Sequence, residues 1–162
     1  MSDDVARYRA SLAPIEVDAK DQRWADKRPW RVETHVGAES GMAVVDLHDL
    51  SAANARQAVR EVVANPPAAG AVVFVFGRGR HTLGPSQVLR SVVVKELRRA
   101  CAEEEDWSFR MMGPARTVWI TDRSKAPRAA TGGWGWGMPL LLLLFLVALI
   151  LAILSALGVL GS

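Results

Sequence analysis

Ala71-Val72-Val73-Phe74-Val75-Phe76-Gly77-Arg78-Gly79-Arg80-His81-Thr82-Leu83-Gly84-Pro85 passes from an unbroken apolar run, through a glycine-rich bend, into a helical pattern. An apolar run without alternation suits a strand covered on both faces, and Pro85 suits a first helical position. Glycine turns freely through positive φ and lets a backbone lie flush against a ligand. Gly77, Gly79 and Gly84 therefore mark either a docking place or a packing device. As a docking place the bend favours an anion. Arg78, Arg80 and His81 interleave with the glycines, and the helix behind them aims its unpaired N–H groups and positive dipole end at the same spot.

Upstream, residues 43–47 read as a buried strand, and Ser51 caps a helix running to about Ala64 with Ala55, Val59, Val62 and Val63 on one stripe and Pro66-Pro67 as its stop. Downstream, Val88, Leu89, Val92, Leu97 and Ala100 form a core-facing stripe. Arg90, Lys95, Arg98 and Arg99 lie on the exposed side, partly offset by Glu103, Glu104 and Glu105, and read as a solvated face before a binding face. Residues 107–112 and 116–121 are two strand patterns around Gly113-Pro114-Ala115, a tight antiparallel connection. The order β-α-β-α-β-β predicts an α/β fold over residues 43–121, a two-layer sandwich with a mixed sheet.

The flanks differ in kind. Residues 1–42 mix charges, Pro14, Pro29, Trp24 and Trp30 without a sustained period and read as an irregular arm, with a short strand over residues 31–36 at most. His35 falls on the opposite parity from Val32, Thr34 and Val36 and reads as solvated. The arm's tryptophans, with Arg23, Lys27, Arg28 and Arg31, can stack on unpaired bases or lie along the domain they flank. Residues 122–137 read as a flexible basic, glycine-rich linker. From Pro139 to Leu160 only Ser155 breaks an apolar run that matches the roughly 20 residues of a bilayer-crossing helix, which predicts a transmembrane helix over residues 138–160. Trp134 and Trp136 suit the interfacial belt, and Arg123, Lys125 and Arg128 place the amino-terminal side in the cytosol. The expectation is a single-pass, tail-anchored membrane protein. Ala148, Ala152 and Ala156 offer a small-residue face for self-association into a homo-oligomer.

A chain of 162 residues holds one modest core plus such appendages. The acidic start Met1-Ser2-Asp3-Asp4 does not read as a secretory signal. A single cysteine, Cys101, excludes an intrachain disulfide, suits a reducing compartment and reads as a small core hydrophobe. The net charge of +3 permits a polyanionic partner and is equally ordinary beside an anionic membrane.

Chemistry gathers at Asp46 and His48, which share parity near the carboxyl end of the first strand, where ligands collect in α/β sheets. The glycine bend leaves the end of the second strand, so the two motifs should converge into a carboxylate, an imidazole and a basic cradle, the parts needed to cut a phosphodiester. The structural alternative is a turn pair leading into the Ser51 cap. No spacing makes a recognisable metal site.

Val44-Val45-Asp46-Leu47-His48-Asp49-Leu50-Ser51 resembles the strand, Asp-Leu-His and helix-cap opening of the Smr (small MutS-related) domain family. Gly77 to Gly84 followed by Val88-Leu89-Arg90 resembles its second motif. The likeness covers residues 43–121. It implies an α/β fold similar to the carboxyl-terminal domain of translation initiation factor three, and binding of DNA or RNA with endonuclease or nicking activity. It also implies Asp46 and His48 as the catalytic pair, and Gly77, Arg78, Gly79, Arg80 and His81 as the phosphate cradle. The family usually carries glycine where this chain has Asp49, and threonine or histidine where it has Phe76. The added carboxylate can repel a phosphate or help hold a divalent ion such as Mg2+ or Mn2+. The expected function is a membrane-tethered Smr-type endonuclease or nicking domain. The alternatives are a non-catalytic module holding nucleic acid or ribosomes near the membrane, and a protein adaptor.

Overall fold

The computed structural model describes residues 3–22, 29–76 and 85–127, with backbone alone at 85–87. The elements follow in the order α1 (Asp3–Ala19), α2 (Val32–His35), β1 (Val36–Glu39), β2 (Met42–Asp46), α3 (Ala52–Ala64), β3 (Ala71–Val75), α4 (Pro85–Glu103), β4 (Ser108–Met111) and β5 (Arg116–Ile120). The strands form one mixed sheet in the order β1-β2-β3-β5-β4. β2 and β3 are parallel, Ala43 facing Val72 and Asp46 facing Val75, with α3 as the crossover such a pair requires. The other pairings are antiparallel, and β4 and β5 flank the turn at Gly113 as the sequence predicts.

The expectation of an irregular arm over residues 1–42 is overturned for the described residues 3–22 and 29–42, while Arg23, Trp24, Lys27 and Arg28 lie outside them. Val5, Tyr8, Leu12, Ile15 and Ala19 recur at helical spacing and are all buried in the main core. Pro14 sits inside α1 on its exposed side, and Ala10, whose carbonyl loses its usual helical partner to the proline, is exposed as well. Asp4, only 2% exposed, accepts from the Ala68 amide (2.8 Å), the Ala69 amide (3.0 Å) and the Arg7 guanidinium (2.6 Å). Arg7 also donates to the Pro66 carbonyl (2.7 Å) and Tyr8 to the Asn65 carbonyl (2.9 Å). These bonds fasten α1 to the segment between α3 and β3. The expected strand over residues 31–36 is instead one helical turn, α2, and pairing begins only at Val36. β1 then returns into β2 through Ser40 and Gly41, both at positive φ, as the twist of a two-residue hairpin demands.

Alternation along β2 and β3 sends Ala43, Val45, Leu47, Val72, Phe74 and Phe76 into the core shared with α1, α3 and α4. Met42, Ala71, Val73, Val118 and Ile120 form a smaller cluster on the other side of the sheet, against which Ala126 packs. Residues 122–127 therefore lie on the sheet and are not the start of a free linker. Asp122 accepts from Ser124 and pairs with Lys125, which hold its carboxyl down at about 2. At Gly70, φ +74°, a Cβ would stand 2.5 Å from the Asp122 carbonyl, so only glycine fits.

Ser51 caps α3 by accepting from the Asn54 amide (3.1 Å), as its sequence position implies. α4 buries Leu89, Val92, Val93, Leu97 and Ala100, but Val88, expected on that stripe, is 45% exposed. Arg90, Lys95, Arg98 and Arg99 are exposed. Glu96 is buried against α3 and is held by Arg60 (2.9 Å) with Arg56 beside it. Among the described residues no helix is long and apolar enough to cross a membrane. The predicted span over residues 138–160 lies outside them, as do residues 128–137 of the predicted linker.

Candidate functional site

Asp46 closes β2. The Leu47 amide still donates to the Val75 carbonyl (2.7 Å), so the carboxyl ends of the two parallel strands stand side by side. Leu47 is buried, and the Leu50 amide turns back to its carbonyl (3.0 Å). His48 and Asp49 are thereby presented on a short turn between the strand end and the Ser51 cap of α3. The Asp46 Oδ1 accepts from the His48 amide (3.0 Å) and lies 2.6 Å from the His48 Nδ1. One carboxylate thus fixes both the backbone and the ring of His48. The pairing of Asp46 with His48 expected from parity is present, and it is also a turn pair.

The other His48 ring nitrogen, Nε2, lies 2.9 Å from Asp49 Oδ2. The same oxygen lies 3.5 Å from Nε2 of His35. The reading of His35 as a solvated residue is therefore corrected. Its ring stands between those of Trp30 and His48, with centroids 5.6 and 5.5 Å away. Trp30 is buried and donates its indole N–H to the Asp46 carbonyl (2.7 Å), so it serves the frame of the site and offers no face to an unpaired base. Around His35 Nδ1 lie the Thr34 hydroxyl (2.9 Å), the Arg31 carbonyl (3.0 Å) and the Arg31 amide (3.2 Å). α1 holds this turn in place: Glu16 accepts from the Val32 amide (2.9 Å), and Arg9 donates to the carbonyls of Val36 (2.9 Å) and Glu33 (3.0 Å).

His35 has a sequence signal, though an indirect one. Reading Ser40-Gly41 as a two-residue hairpin turn sets Val36 against Val45, and the next position outward sets His35 across from Asp46. On the other side, Val75 faces Arg116. The Arg116 guanidinium is held above its usual range first by its hydrogen bond to Glu39, with the charge of Asp46 adding a smaller push.

Gly77, Arg78, Gly79, Arg80 and His81 lie outside the described residues. The chain reaches them from Phe76, one residue past the partner of Asp46. Phe76 is buried in the main core and is a packing residue. Asp46 and Asp49 are partly buried and His48 is 42% exposed, which leaves the imidazole within reach of a ligand. Comparison with protein-family models, curated proteins and solved structures finds no match to this chain.

Proposed function

We propose that the chain is a nucleic-acid endonuclease or nicking domain of the small MutS-related type. Residues 138–160 tether it to a membrane, with the amino-terminal part in the cytosol. The observation that carries this reading is the 2.6 Å contact between Asp46 and His48 at the carboxyl end of β2, beside the end of β3 from which the glycine-rich segment departs. An imidazole fixed by a carboxylate at one nitrogen is positioned to move a proton at the other. On RNA, His48 takes the 2′-hydroxyl proton while the Gly77–His81 cradle neutralises the pentavalent phosphate. On DNA, Asp46 would orient the attacking water, and a divalent ion held nearby would supply its activation.

A second reading, a non-catalytic module that holds nucleic acid near the membrane, is favoured by the contact of His48 Nε2 with Asp49, which engages the nitrogen a general base must use. Incubating the full chain in detergent with labelled single- and double-stranded RNA and DNA, with and without Mg2+ or Mn2+, separates the two. Cleavage that falls about 10²-fold or more in His48→Ala, with binding retained, supports the nuclease. Salt-sensitive binding without cleavage supports the module, and neither activity removes both readings.

A further inference from the structure

We propose that His35, His48 and Asp49 form a binding site for one divalent transition-metal ion of the Zn2+ class. The metal site rests on the DNA route of the nuclease reading for what the ion does in catalysis, because a His48 whose Nε2 holds an ion has no nitrogen left to take a 2′-hydroxyl proton. Uptake of the ion is separable from cleavage.

The donor atoms converge. One ring nitrogen each of His35 and His48 and an Asp49 carboxylate oxygen all lie within 4.8 Å of one another. The two imidazoles approach the same oxygen, Oδ2, at 3.5 and 2.9 Å. Metal bonds of about 2.0–2.1 Å in a tetrahedron hold neighbouring ligands about 3.4 Å apart, so the ion needs only small side-chain adjustments.

His48 sets its Nδ1 against Asp46 and its Nε2 against Asp49. An imidazolium makes both contacts by donation; a neutral ring that donates from Nδ1 to Asp46 turns its Nε2 lone pair to the Asp49 carboxylate, a contact that a cation at that point makes favourable. A metal ion ligated by both groups satisfies it, with Asp46 as the carboxylate that orients the ligating ring. His35 joins the same centre in the tautomer whose Nδ1 donates to the Arg31 carbonyl (3.0 Å); in the opposite tautomer Nδ1 accepts from the Arg31 amide (3.2 Å) and Nε2 donates to Asp49. Trp30 against the His35 ring holds that ring in place.

Ligand chemistry selects the ion. Two imidazoles and one carboxylate suit Zn2+, Co2+ or Fe2+ over Mg2+, which prefers an all-oxygen shell. Three protein donors are one short of the tetrahedral set, and a fourth ligand such as water or a phosphate oxygen would complete it. The residue that departs from the small MutS-related pattern, Asp49, is thus the carboxylate that completes the ligand set.

The test is titration of the chelator-treated full chain with Co2+, followed by its visible absorption, and competition by Zn2+. One Co2+ per chain with the intense spectrum of a four-coordinate complex is expected, displaced by Zn2+ and not by equimolar Mg2+. Asp49→Ala and His35→Gln should abolish that spectrum. Asp46→Ala, which removes only the orienting carboxylate, should weaken uptake about 10–100-fold. Far-UV circular dichroism identifies unfolded variants, and His35→Asp then serves as a conservative replacement expected to restore uptake in part. Absence of uptake by the wild-type chain, or uptake unchanged in the Asp49 and His35 variants, overturns the site. Uptake without cleavage of any nucleic acid supports the metal site while overturning the nuclease reading. Cleavage that persists in chelator by a chain taking up no Co2+ does the reverse.

Discussion

Tyr8 shows how one buried polar group ties stability to pH. Its ring is fully buried, its hydroxyl donates to the Asn65 carbonyl at 2.9 Å, and burial pushes the phenol above its usual range against the opposing charge of Arg7. A phenol whose folded pKa is raised contributes stability that is complete below its unfolded pKa of about 10 and is lost as pH climbs toward the folded value. Tyr8→Phe should therefore cost about 1 kcal/mol at neutral pH, with the deficit shrinking from about pH 10 upward, as read from denaturant midpoints across that range. Burial likewise pushes the Cys101 thiol up, in keeping with its sequence reading as a small core residue. At this scale the legible residues are those whose partners are local. Ser51 announces its bond to Asn54 because a cap reaches only three residues. His35 does not announce its approach to Asp49, which depends on a hairpin register.

Among the elements, α3 and α4 are readable because start signals, stop signals and apolar stripes agree. α1 carries its stripe in plain view, but Pro14 reads as a breaker, and its exposed position is a property of the packed helix that no local rule supplies. The attachment of α1 rests heavily on Asp4, whose buried carboxylate serves two backbone amides and Arg7. Asp4→Ala should destabilise the protein by roughly 2–4 kcal/mol, because it strands two amides as well as removing a charge-assisted bond. Asp3→Ala, one residue away and exposed, should stay within about 0.5 kcal/mol. Equilibrium unfolding in urea checks both. Loosening α1 also loosens Glu16 and Arg9 from α2, so Asp4→Ala should lower metal uptake at His35 without touching any ligand.

For the molecule as a whole, the strand–helix alternation from residue 43 onward was legible because each element there is locally patterned and the crossover from β2 to β3 follows from it. Helix α1 and the turn at α2 were not, since their seats are formed by partners far along the chain. The apolar run near the carboxyl end makes its own prediction: the full chain should sediment with membranes and resist alkaline carbonate extraction, and deletion of residues 138–160 should release it to the supernatant. Recovery of both forms in the supernatant would remove the tether.

The fastening of α1 to residues 65–69 also sets a sequence of events during synthesis. As the polypeptide leaves the ribosome, Val5, Tyr8, Leu12 and Ile15 emerge before the segment beyond α3, and their seat is unfinished until that segment has been translated. For that interval α1 presents a greasy stripe with nowhere to settle, which gives a chaperone a foothold.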